Sequence, residues 1–163
     1  MDTEKKERPV VSSFFKFFIQ GSDGLVEAAF ASFSGIKMHV DTIQSRDGDD
    51  SRGVQDYIPV LTRYDPVTLS KGVVGDNSFL DWLLAASADS ENGPTGKNLR
   101  RSVDIVTYNE NRERAVIWTL LNAMPIGYEL SSMDGSRSEV LMESLTLAFT
   151  GVKRVKSPPK VKD

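Results

Sequence analysis

The sequence predicts a mainly β protein, an antiparallel β-sandwich or barrel with a long protruding hairpin and one α-helix. Three observations predict it. Residues 36–42 (IKMHVDT) alternate apolar and polar with period two, the pattern of a strand with one dry and one wet face. Only the stretch that begins at Asp76 or Ser78 repeats its apolar residues at three- and four-residue steps. About seven strand-like segments follow one another at short spacing, punctuated by Gly, Pro and Asn, as antiparallel β architectures require.

Residues 1–12 are polar and are expected to form an arm. The aromatic cluster 14–18 (FFKFF) with Ile19 belongs in the core, because Lys16 is its only basic neighbour and a base-stacking platform needs more. Phe30 and Phe33 mark a strand, and Gly35 after them a bend or bulge. The period-two strand comes next and places Lys37, His39 and Asp41 on one side. Residues 45–53 (SRDGDDSRG) form a polar loop, and residues 57–62 (YIPVLT) return as the partner strand. The pair is a long hairpin with a mobile tip.

Residues 67–73 (VTLSKGV) make another strand, closed at Gly75. Asp76 or Ser78 caps the helix, with apolar positions Phe79, Leu80, Leu83, Leu84 and Ala86. Residues 87–98 (SADSENGPTGKN) read as a loop. Strands over 103–108 and 114–121 flank a turn at 109–112. The chain then closes on a strand pair. Residues 118–128 break at an Asn122-x-x-Pro125 corner, and after a polar turn residues 139–151 form one long last strand.

The 163 residues fit one domain, long enough to bury roughly two thirds of the unfolded surface. The expected division is an arm over 1–12, a β-barrel domain over 13–152 and a basic, Pro-containing tail over 153–163. No apolar run approaches the ~18–20 residues that span a bilayer, and the mixed-charge start (MDTEKKERP) does not resemble a secretory signal. Folding in the cytoplasm is the expectation. Residues 151–163 hold five basic groups against Asp163, a charge of +4, which leaves the remainder at −7 of the total −3. An acidic body argues against a nucleic-acid-binding face.

The search for chemistry returns little. Zero cysteines exclude disulfides, thiolate catalysis and Cys-based metal sites. His39 is the only histidine, with Asp41 a weak partner. The acidic loop Asp47-Gly-Asp-Asp50 fails the calcium-loop template, because its sixth position is Arg52 and its twelfth is Ile58. No nucleophile elbow, phosphate-cradling loop or dinucleotide fingerprint occurs. Glu139 and Glu143 share one face if both lie in a strand, which suits a polar stripe or subunit contact better than a catalytic pair. Trp82 and Trp118 are expected in the core. No cofactor is expected.

Taken in order, several pieces resemble the tail-tube family of contractile phages and contractile injection systems, related in fold to the type VI secretion tube protein. They are Phe17-Phe18-Ile19; Phe30-x-x-Phe33-Ser-Gly35-Ile36; Tyr64-Asp-Pro-Val-Thr-Leu-Ser-Lys-Gly-Val73; Phe79-Leu-Asp-Trp82; Trp118-x-Leu-x-Asn122-Ala-x-Pro125; and Glu139-Val-x-x-Glu143-Ser-Leu-x-Leu147-x-x-x-Gly151. The resemblance implies a structural subunit rather than an enzyme, forming hexameric rings stacked into a hollow inner tube within a contractile sheath. Its implied partners are itself, the sheath protein, baseplate and terminator or cap proteins, and cargo in the lumen. It would be made in the bacterial cytoplasm and assembled in a phage tail or a phage-tail-like particle.

On that reading the candidates for subunit interface or lumen are Lys37, His39, Asp41, Arg46, Asp47, Asp49, Asp50, Glu139 and Glu143. The structural candidates are Gly35, Trp82, Trp118, Asn122, Pro125 and Gly151. The alternation alone suggests that Lys37, His39 and Asp41 face a wet lumen. The loop over 87–102 and the tail after Gly151 depart from the family pattern and are expected to be decoration. The alternatives are a baseplate paralogue that starts the tube, or a soluble β-barrel ligand-binding protein or enzyme.

Overall fold

The computed structural model describes residues 15–21, 24–29, 32–45, 56–73, 75, 78–87 and 99–156. The expected arm, hairpin tip, Asp76 cap and most of the 87–98 loop lie outside the described residues. Among the described residues ten strands and one helix run in the order β1 (Phe15–Gly21), β2 (Gly24–Ala29), β3 (Ser32–Phe33), β4 (Met38–Ser45), β5 (Asp56–Tyr64), β6 (Val67–Gly72), α1 (Ser78–Ala86), β7 (Arg101–Tyr108), β8 (Arg114–Leu130), β9 (Met142–Ala148) and β10 (Gly151–Lys156). The main sheet has the order β2-β1-β7-β8-β9-β6-β3, with β10 on β8, and every pair is antiparallel. Strands β4 and β5 form a separate two-stranded sheet. The mainly β, antiparallel expectation with a single helix holds.

Strand β8 is the hinge of the sheet. Its first half pairs with β7 and β10 and its second half with β9, so seventeen residues pass through both leaves. The expected corner at Asn122 and Pro125 is therefore a bend within one strand, not a break. Asn122 takes a left-handed φ of 53°, a conformation Asn tolerates better than most residues, and its amide Nδ2 donates to Thr150 Oγ1 at 3.1 Å. A register shift between Pro125 and Gly127 absorbs the proline, which has no N–H for the ladder. Gly151 faces this bend, where a Cβ would lie 3.2 Å from Leu121 Cδ1.

Inward residues of both leaves meet in one cluster. Phe17 and Ile19 of β1, Val103 and Ile105 of β7 and Leu120 of β8 pack with Val67 and Leu69 of β6 and Leu145 and Leu147 of β9. Helix α1 covers this cluster with Phe79 and Trp82, both essentially without solvent contact. Trp82 Nε1 donates to the Leu99 carbonyl at 3.0 Å, which satisfies its one polar atom. The helix face expected from spacing is too broad. Leu80 and Leu84 point to solvent, because burial follows the Phe79–Trp82 stripe.

Four further corrections concern boundaries. Strand β2, Gly-Leu-Val-Glu-Ala-Ala, was not expected, and it pairs with β1 across residues 22–23. The segment at Phe33 is only the two-residue β3. The last long strand begins at Met142, not Glu139, because Asp134-Gly-Ser136 makes a turn in which Asp134 Oδ1 accepts from the Ser136 N–H at 2.9 Å. Residues 153–156, expected in the tail, are the end of β10 and pair with β8.

Candidate assembly surface

The hairpin carries most of the candidate residues. Its base is closed by the Asp65 N–H donating to the Lys37 carbonyl at 3.1 Å, and the sharp turn before it places Gly35 at φ 86°. Beyond this base, among the described residues, β4 and β5 pair only with each other and both faces are exposed. Arg63 Nη2 meets Asp41 Oδ1 at 2.8 Å, and His39 Nε2 lies 3.2 Å from Asp65 Oδ2. Sequence proximity suggested Asp41 as the partner of His39. Residues two apart in a strand share a face but sit about 7 Å apart, while the cross-strand and corner residues come closer.

The expected polar side is polar only near the base. Register shifts between Asp41 and Thr42, where Val60 is the extra residue on β5. Strand alternation then puts Ile43, Ile58 and Leu61 on the side that carries His39, Asp41 and Arg63, while Met38 and Val40 lie on the other. All five of these apolar side chains, with Val60 and Tyr57, are about half exposed or more. Lys37 is exposed just before β4. Arg46, Asp47, Asp49 and Asp50 lie outside the described residues.

The two glutamates separate. Glu139 is an exposed loop residue whose Oε1 lies 3.8 Å from Arg137 Nη1. Glu143 is buried in β9, opposite Lys71 of β6. Lys71 Nζ stands 3.2 Å from Glu143 Oε1 and 4.4 Å from the centre of the Phe79 ring, and the Tyr128 hydroxyl donates to Glu143 Oε2 at 2.9 Å. Oε1 receives the ammonium charge without a well-directed hydrogen bond. The Tyr128 pKa is raised above 10.0, first by burial and then by its bond to the Glu143 carboxylate and the charge there. Lys71 was missed in the sequence. The signal was present, since it continues the inward positions Val67 and Leu69 just as Glu143 begins the row of Leu145 and Leu147.

The opposite face of β6 and β9 is small and hydroxylic. Ser70 Oγ and Ser144 Oγ lie 2.7 Å apart, and Thr68 Oγ1 and Thr146 Oγ1 3.3 Å apart, on alternate rungs of the ladder. Trp118 packs half-buried against the core, under the guanidinium of Arg154 at 5.6 Å. A groove beside it is lined by Phe15, Phe33, Ile36, Ile105 and Trp118, with Thr107 its one polar residue. Among the described residues no three His, Cys, Asp or Glu gather to hold a metal ion. No described helix is long and apolar enough to cross a membrane.

Comparison with known proteins places this geometry. Residues 13–153 match the family described as T4-like virus tail tube protein gp19. No curated protein sequence matches the chain. A chain of the cryo-EM sheath–tube complex of the PVC extracellular contractile injection system, in the extended state, is 23% identical with a TM-score of 0.74, covering 93% of this chain and 95% of that one. A chain of the anti-feeding prophage tube-terminating cap is 27% identical with a TM-score of 0.71, covering 93% of each. Hcp1 from Flavobacterium johnsoniae shares the fold at 11% identity and a TM-score of 0.55, covering 86% of this chain and 94% of that one. A match over nearly the whole folded body shows that this chain belongs to the T4-like tail tube protein family, structural proteins of phage tails and contractile injection systems and not enzymes.

Proposed function

We propose that copies of this chain close into hexameric rings, that the rings stack into a hollow tube inside a contractile sheath, and that the lumen conducts cargo. One observation carries this reading: a two-stranded hairpin with large apolar side chains exposed on both faces. A lone hairpin of this kind is marginal in water and leaves an apolar surface that a neighbouring protomer would cover. A ring closes by a head-to-tail contact, and a second, different contact stacks it. The hydroxyl pairs Thr68–Thr146 and Ser70–Ser144 suit a lumen wall, being polar, uncharged, small and only part-buried in the protomer.

The polar groups at the hairpin base, Lys37, His39 and Asp41, would extend that wall, while Arg46, Asp47, Asp49, Asp50 and Glu139 would meet neighbouring subunits. Residues 13–152 would be the ring-building domain, with residues 1–12 an arm. Relatives in a sheath–tube complex and in a tube-terminating cap support sheath and terminator partners. A baseplate partner and synthesis in a bacterial cytoplasm complete the proposal. Negative-stain imaging of the purified chain tests it: stacked sixfold rings are expected. A single ring that never stacks would favour a tube-initiating paralogue, and a monomer persisting at high concentration would overturn the reading.

A further inference from the structure

We propose that the buried Lys71–Glu143 pair is a register lock, which holds β6 at one setting on β9 and thereby holds the hairpin at one height on the body. The lock is a property of the protomer; its consequence for ring closure rests on the tube reading above. Apart from this pair, the β6–β9 ladder is nearly indifferent to a slip of two residues. A one-residue slip is forbidden, since it would turn every inward side chain to the other face, but a two-residue slip keeps both faces.

In the observed register the inward rungs are Val67–Leu147, Leu69–Leu145 and Lys71–Glu143, and the outward rungs include Thr68–Thr146 and Ser70–Ser144. Sliding β6 by two residues would set Val67 against Phe149, which is also buried, and Leu69 against Leu147; outside, Ser70 would face Thr146 and Thr68 would face Ala148. Apolar still meets apolar, and small still meets small. Only the charged rung objects. Lys71 would face Leu145 and Glu143 would face Val73, and the ammonium would be carried off the Phe79 ring, which now lies 4.4 Å from it. Both charges are buried, so neither has water to replace a lost partner. Tyr128 belongs to β8, which does not slide, and its hydroxyl engages Oε2 of Glu143 while Oε1 faces the lysine. The carboxylate is therefore the fixed half of the lock and Lys71 the half that must find it.

Strand β6 needs such a lock because its other anchors are slight. Its second neighbour among the described residues is the two-residue β3, whereas β9 is held on its far side by β8. The Tyr64 ring packs 5.1 Å from that of Phe149, an apolar contact without direction. Only Asp65 and Pro66 separate β5 from β6, so the hairpin follows wherever β6 sits. Two residues of strand measure about 7 Å. A slipped protomer would offer its exposed hairpin faces about that far from their place, and a closed ring requires the same contact from every copy. A buried ion pair is weak as a source of stability and best attested as a means of fixing register.

The chain has no cysteine, so introduced disulfides report the register directly. Thr68→Cys/Thr146→Cys marks the observed rung and Ser70→Cys/Thr146→Cys the slipped one, because a disulfide needs Cβ atoms about 4 Å apart and diagonal positions stand about 7–8 Å apart. In the full chain, in a glutathione buffer that lets disulfides exchange, the first pair should close and the second stay open. Adding Lys71→Met, Glu143→Leu and Tyr128→Phe should raise closure of the second pair at least about ten-fold, since the apolar rungs no longer distinguish the two settings. Lys71→Met/Glu143→Gln, which keeps a partner for the Tyr128 hydroxyl, gives the same reading if the triple variant fails to fold. Exchange of the charges in Lys71→Glu/Glu143→Lys should leave the second pair open. A second pair that stays open in the uncharged backgrounds would overturn the proposal, and so would one that closes as readily with the native charges in place. Imaging of the unaltered chain keeps the two levels apart: absence of rings sinks the tube reading alone, and closure of the slipped pair beside the native charges sinks the lock alone.

Discussion

At the residue scale the most consequential group is the Lys71–Glu143–Tyr128 cluster. It closes one end of the core-facing ladder with two charges where the two preceding inward rungs are Val67–Leu147 and Leu69–Leu145. Removing one partner strands the other charge away from water, so Glu143→Gln should cost about 3–5 kcal/mol, read from the midpoint of urea unfolding. Replacing all three by Lys71→Met, Glu143→Leu and Tyr128→Phe should recover most of that loss, because no polar atom is then left unpaired. An unchanged midpoint for the single variant would show that the pair is solvated after all. Tyr128 adds a pH dependence with a definite sign. Its folded-state pKa is raised, so the folded state holds the phenolic proton more tightly, and the contribution is fully present below pH 10.0 and lost as pH climbs through the higher folded value. The alkaline fall in stability should shrink in Tyr128→Phe. The period-two rule locates these residues on the inward face in the sequence itself. Their pairing depends on register between strands more than seventy residues apart, which spacing along one strand does not encode.

At the scale of elements, what was legible followed local pattern. The hairpin, the helix, β6 and β7 each carry their own periodicity and turn residues. Strand β2 was not legible, because Gly24, Ala28 and Ala29 have little strand preference and owe their state to pairing with β1. Asn122 and Pro125 mark a real bend, but whether a bend ends a strand is decided by the neighbours, and here β9 and β10 hold both sides of it. In the candidate surface, alternation found the polar base of the hairpin and missed the side exchange beyond the register shift, since a bulge leaves no mark in composition. The hairpin also makes its own prediction. Ile58→Lys with Leu61→Lys should abolish ring formation in gel filtration with light scattering while leaving the protomer's unfolding midpoint within about 0.5 kcal/mol, as expected for exposed sites. A loss of folding would mean that the hairpin supports the body of its own chain.

For the whole molecule, stability is unevenly distributed by construction. The body binds β7 and β8 on both of their edges and stacks a helix over a continuous apolar cluster, while the hairpin meets it only at its base among the described residues, where Ile36 and Tyr64 pack on the core and the Tyr64 ring lies 5.1 Å from that of Phe149. Opening the hairpin beyond Tyr64 exposes no core, so its local opening free energy should be far below that of global unfolding. Amide hydrogen exchange on dissociated protomers should therefore show fast exchange in β4 and β5 and slow exchange in β7 and β8. In a ring the same hairpin amides should slow by orders of magnitude, because opening would then require removing the apolar faces of Ile43, Ile58, Val60 and Leu61 from a neighbouring copy. Protection of the hairpin that is already high in the dissociated protomer would mean the two-stranded sheet is stable by itself, and exposure of those side chains could no longer be read as a demand for a partner.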